Sequence, residues 1–411
     1  MAKAIWLAPL LLLAAEPSIQ QRSPQTILWA APSILLAAMV IAWAAESAQF
    51  FIAQGVALAI LAWMQTLPEF AVEAVLAWRQ QLPYLFANLT GALRLLTGLG
   101  WPMIYCAAAV VHRRREGKPL RRVVLEGEHS VQVVSLLPGL VWVGIVVLKG
   151  SLSLFDAVIL VAIYAAYLML LGKMPPQEEE GIEDPERIPR AIVLSPRRRR
   201  IALIGGLFLL GGVLIYFSTD PFVGSLFAIS IRLGVPSFVF IQWVAPFVSE
   251  FPEFLSTFYW ARTVHRAPMA LMNMVSSNIN QWTLLAAMLP VVLSLGAGHV
   301  SSLHLDDQQK LEVLMTLGQQ LVGMLFLVNM ELAWWEASAL FVLWFVQFAF
   351  SAIPPGVKFW GQLATHVHFW ITVAYFVWAG WELLRLLIGQ RKPLAFTEFA
   401  KLWRTHVAAA R

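Results

Sequence analysis

The chain has 411 residues, of which 59% are hydrophobic and only 13% are charged, well below the roughly 25% of a soluble domain. Apolar stretches of about 20 residues recur along the whole length and leave no room for a sizeable soluble domain. The net charge of +5 comes from basic residues in short loops beside these stretches, which indicates a lipid bilayer partner and excludes a nucleic-acid-binding role. The single cysteine, Cys106, excludes an intramolecular disulfide and a cysteine-based metal cluster.

The predicted elements begin with a signal-like segment or short anchor at residues 1–26, where Lys3 precedes a short apolar run. Two sets of five spans and one additional span follow. The first set, within 27–172, comprises Ile27–Ala45, Ala48–Trp78, Tyr84–Val111, Val131–Leu148 and Leu154–Leu171. The second set, within 201–352, comprises Ile201–Phe217, Phe222–Ala261, Pro268–Leu295, Leu311–Val328 and Leu332–Ala352. The last span, Gly361–Ile388, lies in an extra segment at 353–411 that ends in a cytoplasmic tail.

Residues 173–200, rich in proline and charge, are predicted to be a cytoplasmic linker between the two sets. Basic residues follow the third, fifth, seventh and last spans, which places all four positions on one face, predicted to be cytoplasmic. Because five is an odd number, the second set enters the membrane with the opposite orientation to the first. The sequence therefore predicts an all-α polytopic membrane protein with two inverted five-helix repeats plus one extra C-terminal transmembrane helix.

Two short segments in matching places of the two halves each put a glutamate inside an apolar stretch. Residues 67–70 read Leu-Pro-Glu-Phe and precede Asn88, and residues 251–254 read Phe-Pro-Glu-Phe and precede Asn273. Charge at bilayer depth is expensive, so a duplicated intramembrane glutamate indicates an ion path between repeats. The alternative is that each proline only kinks its helix and each glutamate only joins two helices, and the duplication argues against it.

The residue types in these segments favour a hard cation. A proline removes a backbone hydrogen bond and so frees carbonyl oxygens nearby. Calcium takes about 6–8 oxygen ligands and tolerates irregular geometry. Histidine and cysteine are absent, which argues against zinc or copper, whereas manganese and magnesium stay possible. The side chains that could supply oxygen are Glu69, Glu253, Thr66, Ser249, Asn88 and Asn273.

The two segments resemble the alpha repeats of the sodium/calcium exchanger family, within the cation/calcium exchanger superfamily. That pattern reads Gly-Thr-Ser-Leu-Pro-Glu and, further along, Gly-Asn-x-x-Gly-Ser-Asn. Residues 65–69 and 249–253 look like its first element, and residues 87–92 and 272–278 look like its second. The resemblance covers roughly residues 27–352 and implies calcium exchange for sodium or protons by alternating access.

The resemblance also implies roles for individual residues. Glu69 and Glu253 would be the central calcium ligands, and Asn88 and Asn273 would complete the site. The residues that would line flanking monovalent-ion positions are Gln65, Thr66 and Ser249.

This chain departs from the family's pattern at charged positions. Glu250 stands where the family has serine, and Glu73 stands where a small residue is usual, on the same helical face as Glu69. Arg94 lies inside the third span. We predict that Arg94 neutralises Glu73 or Glu250 and that the chain therefore favours protons over sodium. The simpler alternative is that Arg94 merely snorkels or pairs with a carboxylate.

The predicted function is a membrane cation antiporter, exchanging calcium for protons or sodium without a resident cofactor, in the plasma (inner) membrane of a prokaryote. One alternative is a non-transporting scaffold or sensor that keeps the exchanger fold, because fold does not guarantee function. An intramembrane enzyme is the last alternative, since we recognise no catalytic set. His366 and His368 do not share a helix face, and His129 beside Glu126 and Glu128 is interpreted as interfacial. The oligomeric state stays open.

Overall fold

Long uncharged runs of alanine, valine and leucine form helices because a helix satisfies its backbone hydrogen bonds internally, without water. The computed structural model describes residues 22–51, 63, 66–174, 187–351, 353 and 358–408. Within these residues, eight helices are long and apolar enough to cross a membrane. Residues 1–21, most of the predicted signal-like segment, lie outside the described residues.

The helices of the first half are α1 Ile27–Gln49, α2 Leu67–Trp78, α3 Leu82–Leu95, α4 Trp101–Glu116, α5 Ser130–Lys149 and α6 Leu154–Leu171. Helix α7, Arg187–Val193, precedes the second half, which comprises α8 Arg197–Leu233, α9 Ser237–Ser249, α10 Phe251–Ala261, α11 Ala267–Asn280, α12 Ala286–Ala297, α13 Asp307–Leu327 and α14 Trp334–Ser351. Two further helices are α15 Lys358–Leu387 and α16 Leu394–Leu402. The π-helical segments are Leu96–Gly100, Gln281–Leu285 and Trp403–Ala408, and the short 3-10 helices are Pro24–Thr26, Gly127–His129 and Val264–Arg266.

Four short strands show how the two halves are related. They are β1 Arg122–Val124, β2 Ser151–Leu152, β3 Leu303–His304 and β4 Glu331–Ala333. Strand β1 pairs antiparallel with β4, and β2 pairs antiparallel with β3. In sequence, β1 and β3 follow the third spans of the two halves, and β2 and β4 follow the fourth. A two-fold axis that exchanges the halves therefore carries one strand pair onto the other, as expected for inverted repeats.

The fifth span of each half begins in the same way. Asp156 and Glu336 each occupy the first turn of their helix, and each accepts a hydrogen bond from a backbone N–H three residues earlier. Lys149 neutralises Asp156, and Arg391 neutralises Glu336. The two acids therefore occupy matching positions in the two halves, and each is paired with a basic side chain.

The boundary predicted between the sixth and seventh spans is wrong. Helix α8 runs unbroken through Pro221 to Leu233, and the turn lies at Gly234, whose φ of +67° is left-handed. The hydroxyls of Ser218 and Thr219 fold back onto carbonyl oxygens one turn earlier and so need no other partner at this depth. A proline is tolerated in a membrane helix where such local groups satisfy the backbone. The helix of 37 residues is roughly 55 Å long and packs along α1.

The predicted linker is partly helical. Helix α7 lies inside it and packs on α1, with Ile192 and Val193 buried. Its apolar side chains explain the difference, because they bury surface that a solvated linker would leave in water. Beyond the repeats, α15 packs on α13 and α14, and α16 packs on α5.

A candidate cation site between the repeats

Two interrupted helices position the predicted glutamates. In the second half, α9 ends at Ser249 and α10 begins at Phe251, so the break falls at Glu250. In the first half, α2 begins at Leu67, directly before Pro68. Glu69 and Glu253 therefore lie in the first turns of α2 and α10, where unpaired backbone N–H groups stabilise negative charge.

Four carboxyls meet at these breaks, and all are buried. Glu69, Glu73, Glu250 and Glu253 are each at most 2% exposed. The Glu250 carboxyl lies within hydrogen-bonding reach of the carboxyls of both Glu69 and Glu253. The two predicted central residues, which are 184 positions apart in sequence by 253 − 69, are thus joined through Glu250. The cluster is shared between the two repeats.

Gln281 is a neutral donor that bridges two carboxyls of this cluster. Its Nε2 donates to Glu69 Oε2 and to Glu250 Oε1, at 2.7 Å in each case. The side chain therefore ties a glutamate of the first repeat to one of the second. Gln281 was not predicted as a site residue, although a glutamine within a predicted span is the kind of signal that marks a membrane site.

The two asparagines have different partners. Asn273 Nδ2 donates to Glu253 Oε1 at 3.3 Å, as the resemblance implies for its repeat. Asn88 Nδ2 instead donates to Glu73 Oε1 at 2.9 Å. Glu73 lies one helical turn beyond Glu69 and takes the bond that symmetry would assign to Glu69. The extra carboxylate therefore alters the first repeat's side of the site.

The other predicted residues lie at the edge of the cluster or outside the described residues. Thr66 is buried, donates to the Trp63 carbonyl at 3.0 Å and accepts from Asn280 Nδ2 at 2.6 Å. The Ser249 hydroxyl turns back onto the Pro246 carbonyl at 3.3 Å. Gln65 lies outside the described residues. Asn280 is a further residue that the sequence analysis missed.

A π-helical segment follows the asparagine in each repeat. Leu96–Gly100 begins eight positions after Asn88 (96 − 88), and Gln281–Leu285 begins eight positions after Asn273 (281 − 273). Such segments widen a helix by one residue per turn and occur frequently at functional sites. In the second repeat the widened turn begins at Gln281, the residue that bridges the carboxyls. Because a π-helical segment follows the asparagine in both repeats, it supports a site to which both repeats contribute.

The cluster offers oxygen atoms without donors. Among the described residues, no N–H or O–H group donates to these six buried atoms: Glu69 Oε1, Glu73 Oε2, Glu250 Oε2, Glu253 Oε2, Asn88 Oδ1 and Gln281 Oε1. No lysine or arginine of the described ranges pairs with the four carboxyls. Buried polar atoms are normally satisfied, so a group of unsatisfied carboxylate and amide oxygens fits a hard cation.

Arg94 does not have the partner that we predicted. Its NH2 group lies 2.7 Å from Glu312 Oε2, and both side chains are at most 2% exposed. It also donates to Thr90 and lies 5.4 Å from the centre of the Trp243 ring. The prediction that Arg94 neutralises Glu73 or Glu250 is wrong, because α3 turns Arg94 towards α13 instead. Arg94 therefore does not neutralise the acidic cluster.

The group of Glu126, Glu128 and His129 has ligand atoms within 4.8 Å of one another. However, His129 Nδ1 accepts a hydrogen bond from the Glu126 backbone N–H as part of a helix-capping box. The ring lone pair is therefore already used, which leaves a structural role for this histidine.

Comparisons with known proteins agree with this geometry. Residues 25–173 and 203–353 match the family described as sodium/calcium exchanger protein. No curated protein matches the chain. The H+/Ca2+ exchanger CAX is similar at 30% sequence identity and a TM-score of 0.79, over 98% of this chain and 94% of that chain. The sodium-calcium exchanger NCX_Mj, soaked with Na+ and Sr2+, shares the fold at 18% identity and a TM-score of 0.52, over 79% of this chain and 97% of that one.

The predicted family and the predicted class of fold are therefore confirmed. The matched blocks cover most of the chain and correspond to its two helical halves. With eight apolar helices long enough to cross a bilayer, the chain is a multi-pass membrane protein. It belongs to the sodium/calcium exchanger protein family.

Proposed function

We propose that this membrane cation antiporter carries Ca2+ and exchanges it for protons, with sodium as the alternative coupling ion. The observation that carries the proposal is the buried cluster of Glu69, Glu73, Glu250 and Glu253. One carboxylate oxygen of each residue has no hydrogen-bond donor in the described structure. Oxygen ligands of this kind suit Ca2+ as the transported ion. We propose no resident cofactor and no enzymatic reaction.

Charge balance explains why an exchanged ion is needed. Four carboxylates carry more negative charge than one divalent cation neutralises, and the surroundings are apolar helices where uncompensated charge is costly. When Ca2+ leaves, protons or monovalent cations must take its place. Glu250, in reach of both Glu69 and Glu253, creates carboxyl–carboxyl contacts that a proton can bridge but that a serine could not form.

Similarity favours protons as the coupling ion. The H+/Ca2+ exchanger CAX shares 30% identity with this chain, whereas the sodium-calcium exchanger NCX_Mj shares 18%. In the first repeat the chain also carries Glu73, which accepts the hydrogen bond that the Asn88 amide donates. We infer that these carboxylates replace neutral groups that would otherwise coordinate sodium.

The position of the site supports alternating access. It is built from α2 and from the interrupted pair α9–α10, one from each inverted repeat, and from the helices that carry the two asparagines. A site at the interface of inverted repeats is exposed to each side in turn when one group of helices moves against the other. We propose that the protein works in this way in the plasma membrane of a prokaryote.

The test is Ca2+ uptake into proteoliposomes under an imposed proton gradient or an imposed sodium gradient. We expect the proton gradient to drive uptake. We expect Glu69→Gln and Glu253→Gln to reduce it to background, because each removes a charged oxygen from the cluster. Glu116→Gln is the matched control, since that side chain is 62% exposed at the end of α4 and should transport normally.

Each alternative predicts a different result. Uptake that follows the sodium gradient and ignores the proton gradient would contradict proton coupling. In a sodium-coupled protein, Glu250→Ser should have little effect on the coupling ion, whereas we expect this substitution to make uptake responsive to sodium. No Ca2+ uptake under either gradient, from protein that is verified as folded, would favour the non-transporting scaffold, an alternative that no comparison supports.

A further inference from the structure

A second buried ionic cluster lies outside the candidate cation site, on one face of α13. Glu312 accepts from Arg94 and from Gln242 at its Oε2 atom, at 2.7 and 2.8 Å. Its Oε1 atom lies 2.6 Å from His368 Nδ1. The four residues come from α3, α9, α13 and α15, so the cluster joins both repeats to the helix that follows them.

The hydrogen bonds around His368 fit both of its protonation states. A carboxylate that already pairs with arginine is an acceptor, so Nδ1 donates to Glu312. On the other side of the ring, the Ser351 hydroxyl donates to the Gln347 carbonyl at 2.7 Å, which leaves its oxygen free to accept from a protonated Nε2 at 3.2 Å. In the neutral ring, Nε2 instead accepts from the Gln347 amide, whose Nε2 lies 3.4 Å away.

The surroundings of His368 contain few other ionisable groups. Among the described residues, it faces Glu312 from α13 and the neutral Gln347 and Ser351 from α14. Arg94 reaches it only through Glu312. Among the described side chains of its own helix, His366 is exposed, and the next charged group towards the C-terminus, Glu382, pairs with Arg391. The His368 side chain is 19% exposed.

The cluster is in direct contact with the helices that form the candidate site. Arg94 lies on α3, which also carries Asn88, and Gln242 lies on α9, which leads to Ser249 and the break. Helices α3 and α9 touch at Gly91, where an added Cβ would lie 1.9 Å from the Gln242 carbonyl oxygen. A change in the hydrogen bonds of Glu312 would therefore affect α3 and α9 together.

We propose that His368, Glu312 and Arg94 form a second proton-binding site, separate from the cation site, which controls how firmly α15 is held on the transport helices. When the site is protonated, the histidine bonds to Glu312 and Ser351 together and fixes α15 to α13 and α14. When the proton leaves, Nε2 loses its donor role, the contact with Ser351 must rearrange, and α15 loosens. Histidine is suited to this task because it ordinarily changes charge near physiological pH.

The first measurement is independent of transport. The rate of hydrogen–deuterium exchange at the ring C2 position of each histidine, read by mass spectrometry, reports its protonation in the intact protein. We expect the C2 exchange rate of His368 to change when the pH is varied across the physiological range. We also expect Glu312→Gln to alter the pH dependence of this rate at His368 and to leave the rates at His366 unchanged. An unchanged protonation of His368 over this range would overturn the proposal.

The second measurement, which rests on the proposed function, is exchange of 45Ca2+ for Ca2+ across proteoliposomes at equal pH on both sides. Protons and Ca2+ compete at the cation site to the same extent in every variant. The ratio of the variant rate to the wild-type rate at each pH therefore reports the effect of the second site alone. For His368→Gln we expect this ratio to change on the order of tenfold between about pH 5.5 and about pH 8, the size expected for one charge-assisted hydrogen bond. For the control His366→Gln, two residues away and exposed, the ratio should stay constant.

The two measurements separate the two proposals. A constant ratio for His368→Gln in active protein would overturn control by this site. If wild-type protein shows no 45Ca2+ exchange but His368 still titrates and responds to Glu312→Gln, the proposed function fails and the proton-binding site is supported. The titration uses wild-type protein, so a variant that fails to fold does not prevent the test.

Discussion

Removing either partner of the Arg94–Glu312 ion pair should destabilise the protein, but to different extents. Glu312→Gln leaves a buried guanidinium with only neutral acceptors, the Thr90 carbonyl at 3.0 Å and the Thr90 hydroxyl at 3.2 Å. Arg94→Met leaves Glu312 with His368 at 2.6 Å and Gln242 at 2.8 Å. The arginine therefore has no substitute partner of opposite charge, whereas the glutamate has one.

The magnitudes follow from burial. Breaking a buried pair and leaving one charge uncompensated costs about 3–5 kcal/mol, which we expect for Glu312→Gln. For Arg94→Met we expect about 1–3 kcal/mol, the cost of lost charge-assisted hydrogen bonds. The double variant contains neither charge, so its loss should be smaller than the sum of the two by roughly 2 kcal/mol.

The assay is thermal unfolding of purified protein in detergent, followed by tryptophan fluorescence. At about 2 °C per kcal/mol for a large chain, Glu312→Gln should lower Tm by roughly 6–10 °C. The double-mutant cycle then gives the coupling between the two positions. Additive losses, or a greater loss for Arg94→Met than for Glu312→Gln, would refute the reasoning.

Two more substitutions test the packing and the charge of the bundle. Gly91→Ala puts a Cβ atom 1.9 Å from the Gln242 carbonyl oxygen and should lower folded yield and Ca2+ uptake, whereas Gly205→Ala, with nothing within 4 Å, should change neither. Arg391→Met removes the cation held 2.5 Å from buried Glu336, and we expect a loss of about 3 kcal/mol that thermal unfolding will measure. Normal stability of Arg391→Met, or normal folding of Gly91→Ala, would contradict these contacts.

Local chemistry made part of the site predictable. A proline next to a glutamate inside an apolar run is visible in sequence, and its duplication at Glu69 and Glu253 needs no knowledge of packing. The buried positions of these residues, and the bond from Asn273 to Glu253, agree with that prediction. Their roles as cation ligands stay a prediction, which the glutamate substitutions test.

The rest of the site depends on contacts between distant segments. Gln281 is 212 residues from Glu69, and Glu312 is 218 residues from Arg94 by 312 − 94. Nothing in a single sequence sets the register between such helices, so the partner of Arg94 was wrongly predicted. The misplaced boundary near Pro221 has a different cause: the hydroxyl bonds of Ser218 and Thr219 that accompany the unbroken α8 are not visible in the sequence.

The two repeats are matched in geometry but not in charge. Counting from the matched asparagines, the position of Arg94 in the first repeat is taken by Ile279 in the second, and Ile279 is buried. Counting back from the matched acids Glu336 and Asp156, the position of Glu312 is taken by Gln132.

The symmetry mate of the Arg94–Glu312 pair is therefore a neutral pair, Ile279 and Gln132. Two inverted repeats of identical sequence would give the inward-open and outward-open states equal energy, because the two-fold axis exchanges them. A difference between these states must come from residues that break the symmetry. In the described part of this chain, buried Arg94 and Glu312, together with His368 on the extra helix, are such residues. Neutralising both members of the pair should therefore shift the balance between the two states, and accessibility of the cation site from each side of the membrane would measure that shift.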